Sequence, residues 1–114
     1  MESTRQQKIA RLIQKDLGMI FQQLGRDIFP GTMITVTKVH VTKDLSVARV
    51  YLSLYAPTSK TGLLEKIRQH IREIRHLLAL RTKHQLRITP ELQLFEDDSL
   101  DYIENIDHLL HDGP

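Results

Sequence analysis

Residues 32 to 55 read TMITVTKVHVTKDLSVARVYLSLY, and this stretch decides the fold. β-Branched residues dominate its first part, from Thr32 to Val41, which predicts a strand. In its last part, apolar residues at positions 48, 50, 52 and 54 alternate with other types, which predicts a half-buried strand ending at Tyr55. The polar connection from Thr42 to Ser46 is five residues long, so we expect an antiparallel hairpin.

The alternation of the first strand slips near Lys38. Ile34 and Val36 fall on one side of the strand, whereas Val39 and Val41 fall on the other. A β-bulge and a strand buried on both faces are both compatible with this slip.

An amphipathic helix is predicted before the hairpin. Its apolar residues recur at steps of three and four from Arg5 to Leu24. Ser3 or Thr4 is suited to cap its start, and Gly25 is placed to end it.

After the hairpin, the same spacing predicts a second long helix from Leu64 to about Lys83. A third strand is expected over Leu86–Phe95, with Leu92 and Leu94 on one face and Phe95 on the other. The apolar spacing from Leu100 to Leu110 predicts a short acidic helix.

The predicted order is helix, strand, strand, helix, strand, which indicates an α+β fold with helices layered on a three-stranded sheet. Pro90 restricts the third strand to an edge, or to beginning at that residue. We expect residues 1–114 to form a single domain with an acidic tail from about residue 98.

Composition and motifs exclude several classes of functional site. The 114 residues include no cysteine, which excludes disulfides, thiolate metal sites and cysteine nucleophiles. The six histidines lack metal-ligand spacing, and there is no catalytic or phosphate-loop motif. We therefore expect no enzyme activity, cofactor, metal or small-molecule substrate. The sequence has no apolar run of about 18 residues, so we expect a soluble, cytoplasmic protein that does not enter membranes.

Charge is strongly segregated along the chain. All 16 lysines and arginines lie in residues 1–89, where six acidic residues leave a net charge of +10. Residues 90–114 contain eight acidic residues and no basic one, a net charge of −8. Such a basic body favours a polyanionic partner such as RNA, although a solvated basic face would have the same pattern.

Basic residues on both predicted helices and beside the hairpin are therefore candidate RNA contacts, through phosphates. They are Arg5, Lys8, Arg11, Lys15, Lys38, Lys43, Arg49, Arg68, Arg72, Arg75, Arg81, Lys83 and Arg87. Within the hairpin turn, we expect Asp44 and Ser46 to hold the backbone. We expect Tyr51 and Tyr55 to pack under a helix, so recognition through phosphates and shape suits the sequence better than base stacking.

Several segments together resemble the ribosome-binding factor A family: TVTKVHVTKDLS at 35–46, ARVYLS at 48–53, Ile74-Arg75, Leu86-Arg87, and Pro90 to Leu92 followed by Phe95, Asp97 and Ser99. The likeness spans about Arg5 to Leu110. It implies a type II KH-like fold and a non-catalytic cytoplasmic factor. It also implies binding to the small (30S) ribosomal subunit and its 16S rRNA late in maturation and rRNA processing. We expect a monomer.

One position departs from the family pattern. Where the family has an Ala-x-Gly kink between two helices, this sequence has His70-Ile71-Arg72. Without glycine, we expect the helix to run straighter here, and RNA contact at this point to come from side chains such as Arg72.

Two alternatives to an RNA-binding factor remain open. The charged faces also suit a protein interaction module that docks on a ribosomal protein or another partner. The other alternative is a small Mg²⁺-dependent phosphodiesterase built on Glu96, Asp97, Asp98 and Asp101, although an acidic surface explains these residues more simply. The acidic tail either competes with rRNA for the basic body or only caps the core.

Overall fold

The computed structural model describes residues 2–56 and 62–97. Its helices are α1 (Thr4–Asp27), α2 (Leu63–Gln69) and α3 (Ile71–Thr82), and its strands are β1 (Met33–Val41), β2 (Val47–Tyr55) and β3 (Glu91–Glu96). The strand order is β1-β2-β3, with β1 antiparallel and β3 parallel to β2. The α+β class and the layered arrangement are confirmed. The acidic helix predicted from residue 100 lies outside the described residues.

Helix α1 begins as predicted and ends later than predicted. Ser3 Oγ accepts from the Gln6 N–H at 3.1 Å, while Gln6 Oε1 accepts from the Ser3 N–H at 2.8 Å, which forms a reciprocal capping box. The prediction that Gly25 ends the helix is wrong, because the helix continues to Asp27 and Gly25 does not adopt a left-handed conformation. Gly31, at φ 82°, provides the reversal into β1.

The irregularity in β1 is a β-bulge. The pairing of β1 with β2 shifts between Val36 and Lys38, which leaves Thr37 as the extra residue. This extra residue returns Val39 and Val41 to the buried side of the sheet.

The turn between β1 and β2 is organised by Asp44. Its Oδ1 accepts from Thr42 Oγ1 at 2.8 Å, the Ser46 N–H at 3.1 Å and Ser46 Oγ at 2.7 Å. These hydrogen bonds, led by the Ser46 hydroxyl, lower the pKa of the Asp44 carboxyl. The geometry agrees with the structural role expected for Asp44 and Ser46.

The single long helix expected from Leu64 to Lys83 is wrong, because the structure breaks it at His70. The backbone of His70 has φ −100° and ψ 15°, a bridge conformation that residues other than glycine can adopt. Its N–H bonds to the Ile67 carbonyl at 2.9 Å, which tightens the last turn of α2. The Phe29 and His70 rings pack edge to face, with their centroids 5.6 Å apart. A kink is therefore present without the glycine.

The third strand begins at Glu91, five positions later than the predicted start at Leu86. Pro90 has no N–H to donate, and the ladder opens with the Glu91 N–H bonded to the Ser46 carbonyl at 2.9 Å. The predicted faces of β3 are confirmed, since Leu92 and Leu94 are buried and Phe95 is exposed.

The core lies between the helices and one face of the sheet. It contains the apolar stripe of α1, including Ile13 and Leu17, the even-numbered residues of β2, and Ile74 and Leu78 of α3. The expectation that Tyr51 and Tyr55 pack under a helix is wrong. Both alternate with the buried residues of β2 and point to the opposite face, where Tyr51 is half-buried and Tyr55 is exposed.

Candidate nucleic-acid interface

The outer surface of α1 has a row of four exposed cations, opposite the buried stripe. They are Arg5, Lys8, Arg11 and Lys15. None has a hydrogen-bond or ion-pair partner within the described ranges 2–56 and 62–97. At a rise of about 1.5 Å per residue, the row extends over about 15 Å of helix. These charges are available to a polyanion.

A groove joins the start of α1 to the segment between α3 and β3. Arg5, Lys8 and Arg87 line it together with apolar residues that include Leu86 and Ile88, and its volume is about 490 Å³. Two cations from the start of α1 and one from the segment before β3 therefore share one concave surface, which also includes Ile9, Asp44 and Leu45. Lys83 is exposed just beyond the end of α3.

Two of the three arginines expected to form a row on the second helix hold β3 in place. Arg68 Nε and Nη2 donate to the Leu94 carbonyl at 3.2 and 2.6 Å, and its Nη1 pairs with Glu65 Oε1 at 2.5 Å. Arg75 Nε donates to the Pro90 carbonyl at 3.1 Å and Nη2 to the Thr89 carbonyl at 2.5 Å.

Arg72 differs from these two arginines. It is exposed, and no residue of the described chain engages its guanidinium group. Of the three, Arg72 is therefore the one whose charge has no partner within the described residues.

Arg81 connects the two long helices. Its Nε lies 3.4 Å from Oδ1 of Asp16, a carboxylate on α1 that is only 7% exposed. Burying a carboxylate is unfavourable unless a positive group compensates it. The position of Arg81 is thus explained by the packing of α3 on α1.

The remaining candidates lie elsewhere. Lys38 and Arg49 are exposed on the sheet face opposite the helices, and Lys43 is exposed in the β1–β2 turn. The thirteen basic residues therefore do not form one surface. The structure brings Arg5, Lys8 and Arg87 together and separates them from Lys38 and Arg49.

One feature of the sheet was missed by the sequence analysis. The rings of Tyr51 and Phe95 stack, with centroids 5.4 Å apart and planes 28° apart. The available signal was the alternation of each strand, which places both residues on the side away from the leucines. The parallel pairing that aligns them was not evident from the sequence.

Two further features of the described residues concern membranes and metal ions. No helix in ranges 2–56 and 62–97 is long and apolar enough to cross a membrane. Within the same ranges, no group of three or more histidine, aspartate or glutamate side chains is arranged to hold a metal ion.

The chain is similar in sequence to proteins of one known family. Residues 5–110 match the family model for ribosome-binding factor A. Ribosome-binding factor A of Flavobacterium johnsoniae is 47% identical over 111 residues, which cover 96% of this chain and 85% of that protein. The protein of the same name from Cytophaga hutchinsonii is 43% identical over 110 residues, which cover 96% of this chain and 83% of that protein.

Solved structures of ribosome-binding factor A are similar in fold to this chain. The crystal structure of ribosome-binding factor A from Thermus thermophilus has a TM-score of 0.64 and 25% identity, covering 80% of this chain and 94% of that chain. A homology model of the Thermus thermophilus factor, fitted into a cryo-EM map of a 30S complex, has a TM-score of 0.63 and 25% identity, covering 76% and 89%. With the family match over most of its length, this chain belongs to the ribosome-binding factor A family.

Proposed function

We propose that this chain is a non-catalytic assembly factor that binds the small ribosomal subunit and its 16S rRNA during late maturation and rRNA processing. It acts in the cytoplasm as a monomer, with residues 1–114 forming one KH-like domain, and it uses no cofactor or small-molecule substrate. Family membership supports the proposal, as does the Thermus thermophilus homology model fitted into the map of a 30S complex.

The observation that carries the proposal is the row of unpaired cations on α1. Phosphate groups are the ligands that such a row favours, because each contact releases counterions from the nucleic acid. Arg5 and Lys8 extend the row into the groove shared with Arg87, and Arg72 and Lys83 add exposed charge at the two ends of α3. Contacts of this kind position a protein on RNA without reading its sequence.

The test measures affinity of the full chain for purified small subunits and for naked 16S rRNA. A triple variant, Lys8→Gln, Arg11→Gln and Lys15→Gln, removes three charges that have no structural partner in the described chain. We expect affinity for naked rRNA to fall on the order of tenfold or more. The matched control is Arg26→Gln, an exposed cation near the other end of the same helix, which we expect to change affinity little.

The alternative class of function predicts a different pattern. A protein interaction module would bind small subunits and would show no affinity for naked rRNA. That result would indicate a ribosomal protein, and not rRNA, as the partner. The proposal is supported if the triple variant loses rRNA binding and the Arg26→Gln control retains it.

A further inference from the structure

The sheet face opposite the helices is open in the described parts of the chain. Met33 and Tyr55 are register partners at one end of this face and are 64% and 62% exposed. Phe95, on the edge strand β3, is 37% exposed. Exposed apolar side chains that cluster on one face indicate a binding surface more strongly than isolated ones do.

The Tyr51–Phe95 stack lies on this face, between the middle strand β2 and the edge strand β3. The two residues are partners in the parallel pairing of β2 with β3, and their rings lie against each other. Each ring therefore uses one of its two faces for this contact, and its other face does not contact its stacking partner. Because β3 is the edge strand, the second side of Phe95 is directed away from β2, toward the margin of the sheet.

Two cations flank the stack. Lys38 is the register partner of Tyr51 on β1, and Arg49 precedes Tyr51 by two positions on the same face of β2. Both are exposed, and neither has a partner within residues 2–56 and 62–97. Asp97, whose carboxylate accepts from the Thr37 hydroxyl at 2.6 Å, is an acidic residue two positions after Phe95. Positive charge therefore borders the stack on the side of Lys38 and Arg49.

We infer that this open sheet face binds an unpaired segment of RNA, whose bases stack on Phe95 and Tyr51 and whose phosphates contact Lys38 and Arg49. Aromatic rings beside cations are the combination that single-stranded nucleic acids favour. The bases of a duplex are already stacked on one another and are not available to these rings. The inference rests on the proposed function, because it assigns a second RNA element to the same factor.

The register argues against a protein partner on this face. Thr35 and Ser53 are partners and separate the Met33–Tyr55 pair from the Tyr51–Phe95 pair. Hydroxyl side chains therefore interrupt the apolar area, whereas the buried core of a protein interface is more apolar than the surrounding surface. Separate aromatic positions suit separate bases.

The test uses the full chain and an unstructured RNA octamer that contains 2-aminopurine, whose fluorescence falls when the base stacks. We expect wild-type protein to quench the probe. Phe95→Leu should weaken binding about tenfold and abolish most of the quenching, while Phe95→Tyr should retain both. Leu80→Ala removes an exposed apolar side chain from α3, on the helical side, and is the control, with no expected change.

An octamer of the same length without bases separates stacking from charge. It should bind more weakly than the intact octamer, and Phe95→Leu should not weaken it further. Equal binding of the two octamers, or wild-type binding by Phe95→Leu, would overturn the inference. Loss of small-subunit binding in Phe95→Leu, with octamer binding intact, would also overturn it and would assign the face to a ribosomal protein.

The proposed function is judged independently of this result. Phe95→Leu should leave the binding of a fully paired RNA duplex largely unchanged, because a duplex offers no unpaired base to the sheet face. Conversely, the α1 triple variant should retain quenching of the octamer. Failure in only one of these assays therefore identifies which of the two surfaces does not bind RNA.

Discussion

Arg68 and Leu94 are joined by two hydrogen bonds, from Nε and Nη2 of the arginine to the carbonyl oxygen of the leucine, at 3.2 and 2.6 Å. Leu94 belongs to the edge strand β3, which has a partner strand on one side only. A backbone carbonyl on the open side of such a strand lacks a ladder partner. Arg68 supplies the missing donors, and Arg75 does the same for the residues that lead into β3.

We predict that Arg68→Ala and Arg75→Ala each lower the free energy of unfolding by about 1.5 to 3 kcal/mol, the usual value of hydrogen bonds to a charged group. Arg72→Ala should change it by less than about 0.5 kcal/mol, since its side chain is exposed and makes no described contact. Urea unfolding measures all three. Equal losses in the three variants would contradict the structural distinction between them.

The ion pair between Arg81 and Asp16 gives a second prediction. Arg81→Gln leaves the buried Asp16 carboxylate without its positive partner, so we expect a loss of about 1 kcal/mol, moderated by the solvent exposure of Arg81. In an Asp16→Asn background, the same Arg81 change should cost less. A double-mutant cycle by chemical unfolding measures the coupling, and additive losses would show that the pair contributes nothing.

The turn carboxylate makes stability depend on acid pH. The pKa of Asp44 is lowered from its ordinary value of 3.8 in the folded protein, so the unfolded chain takes up the proton first as pH falls. The contribution of Asp44 is therefore complete above about pH 4 and is lost as pH falls through the lowered folded pKa.

We expect Asp44→Asn to reduce the dependence of the melting temperature on pH below about pH 4, compared with wild type. Melting followed by circular dichroism between pH 2 and pH 7 measures this difference. Asp27→Asn is the control, because Asp27 is exposed at the end of α1 and takes no part in the turn. Identical plots of melting temperature against pH for wild type and Asp44→Asn would show that Asp44 does not contribute to this pH dependence.

The kink at His70 is expected to survive substitution. His70→Ala removes the edge contact with Phe29 and should lower the free energy of unfolding by about 1 kcal/mol, while leaving the break between α2 and α3 in place. Amide exchange and chemical shifts of residues 67–74 report the helix break. A continuous helix in His70→Ala would show that the histidine side chain, and not its backbone position, creates the kink.

The fold could be predicted from the sequence wherever its signals are local. The spacing of apolar residues in α1 and the alternation of β2 fix both elements and their buried faces, because each signal depends on neighbours within a few residues. The slip in β1 was visible as well. Only the register with β2 selects the bulge at Thr37 over a strand buried on both sides.

The roles of the arginines could not be predicted in this way. Arg68 and Leu94 are 26 positions apart, and their contact depends on how α2 packs beside an edge strand. Spacing of three and four places Arg68, Arg72 and Arg75 on similar sides of a helix, yet it does not indicate which guanidinium meets a carbonyl. The open position of Tyr51 follows from the absence of a second helical layer in the described residues, which is likewise a property of the assembled fold.

The salt dependence of rRNA binding tests the central claim most directly. Affinity of the full chain for naked 16S rRNA is measured across a series of salt concentrations, for wild type and for the Lys8→Gln, Arg11→Gln, Lys15→Gln variant. We predict a steep fall of log affinity with log salt in wild type, and a slope shallower by about two to three units in the variant, close to one unit for each lost phosphate contact. Identical slopes would contradict the claim that the α1 cations contact rRNA phosphates.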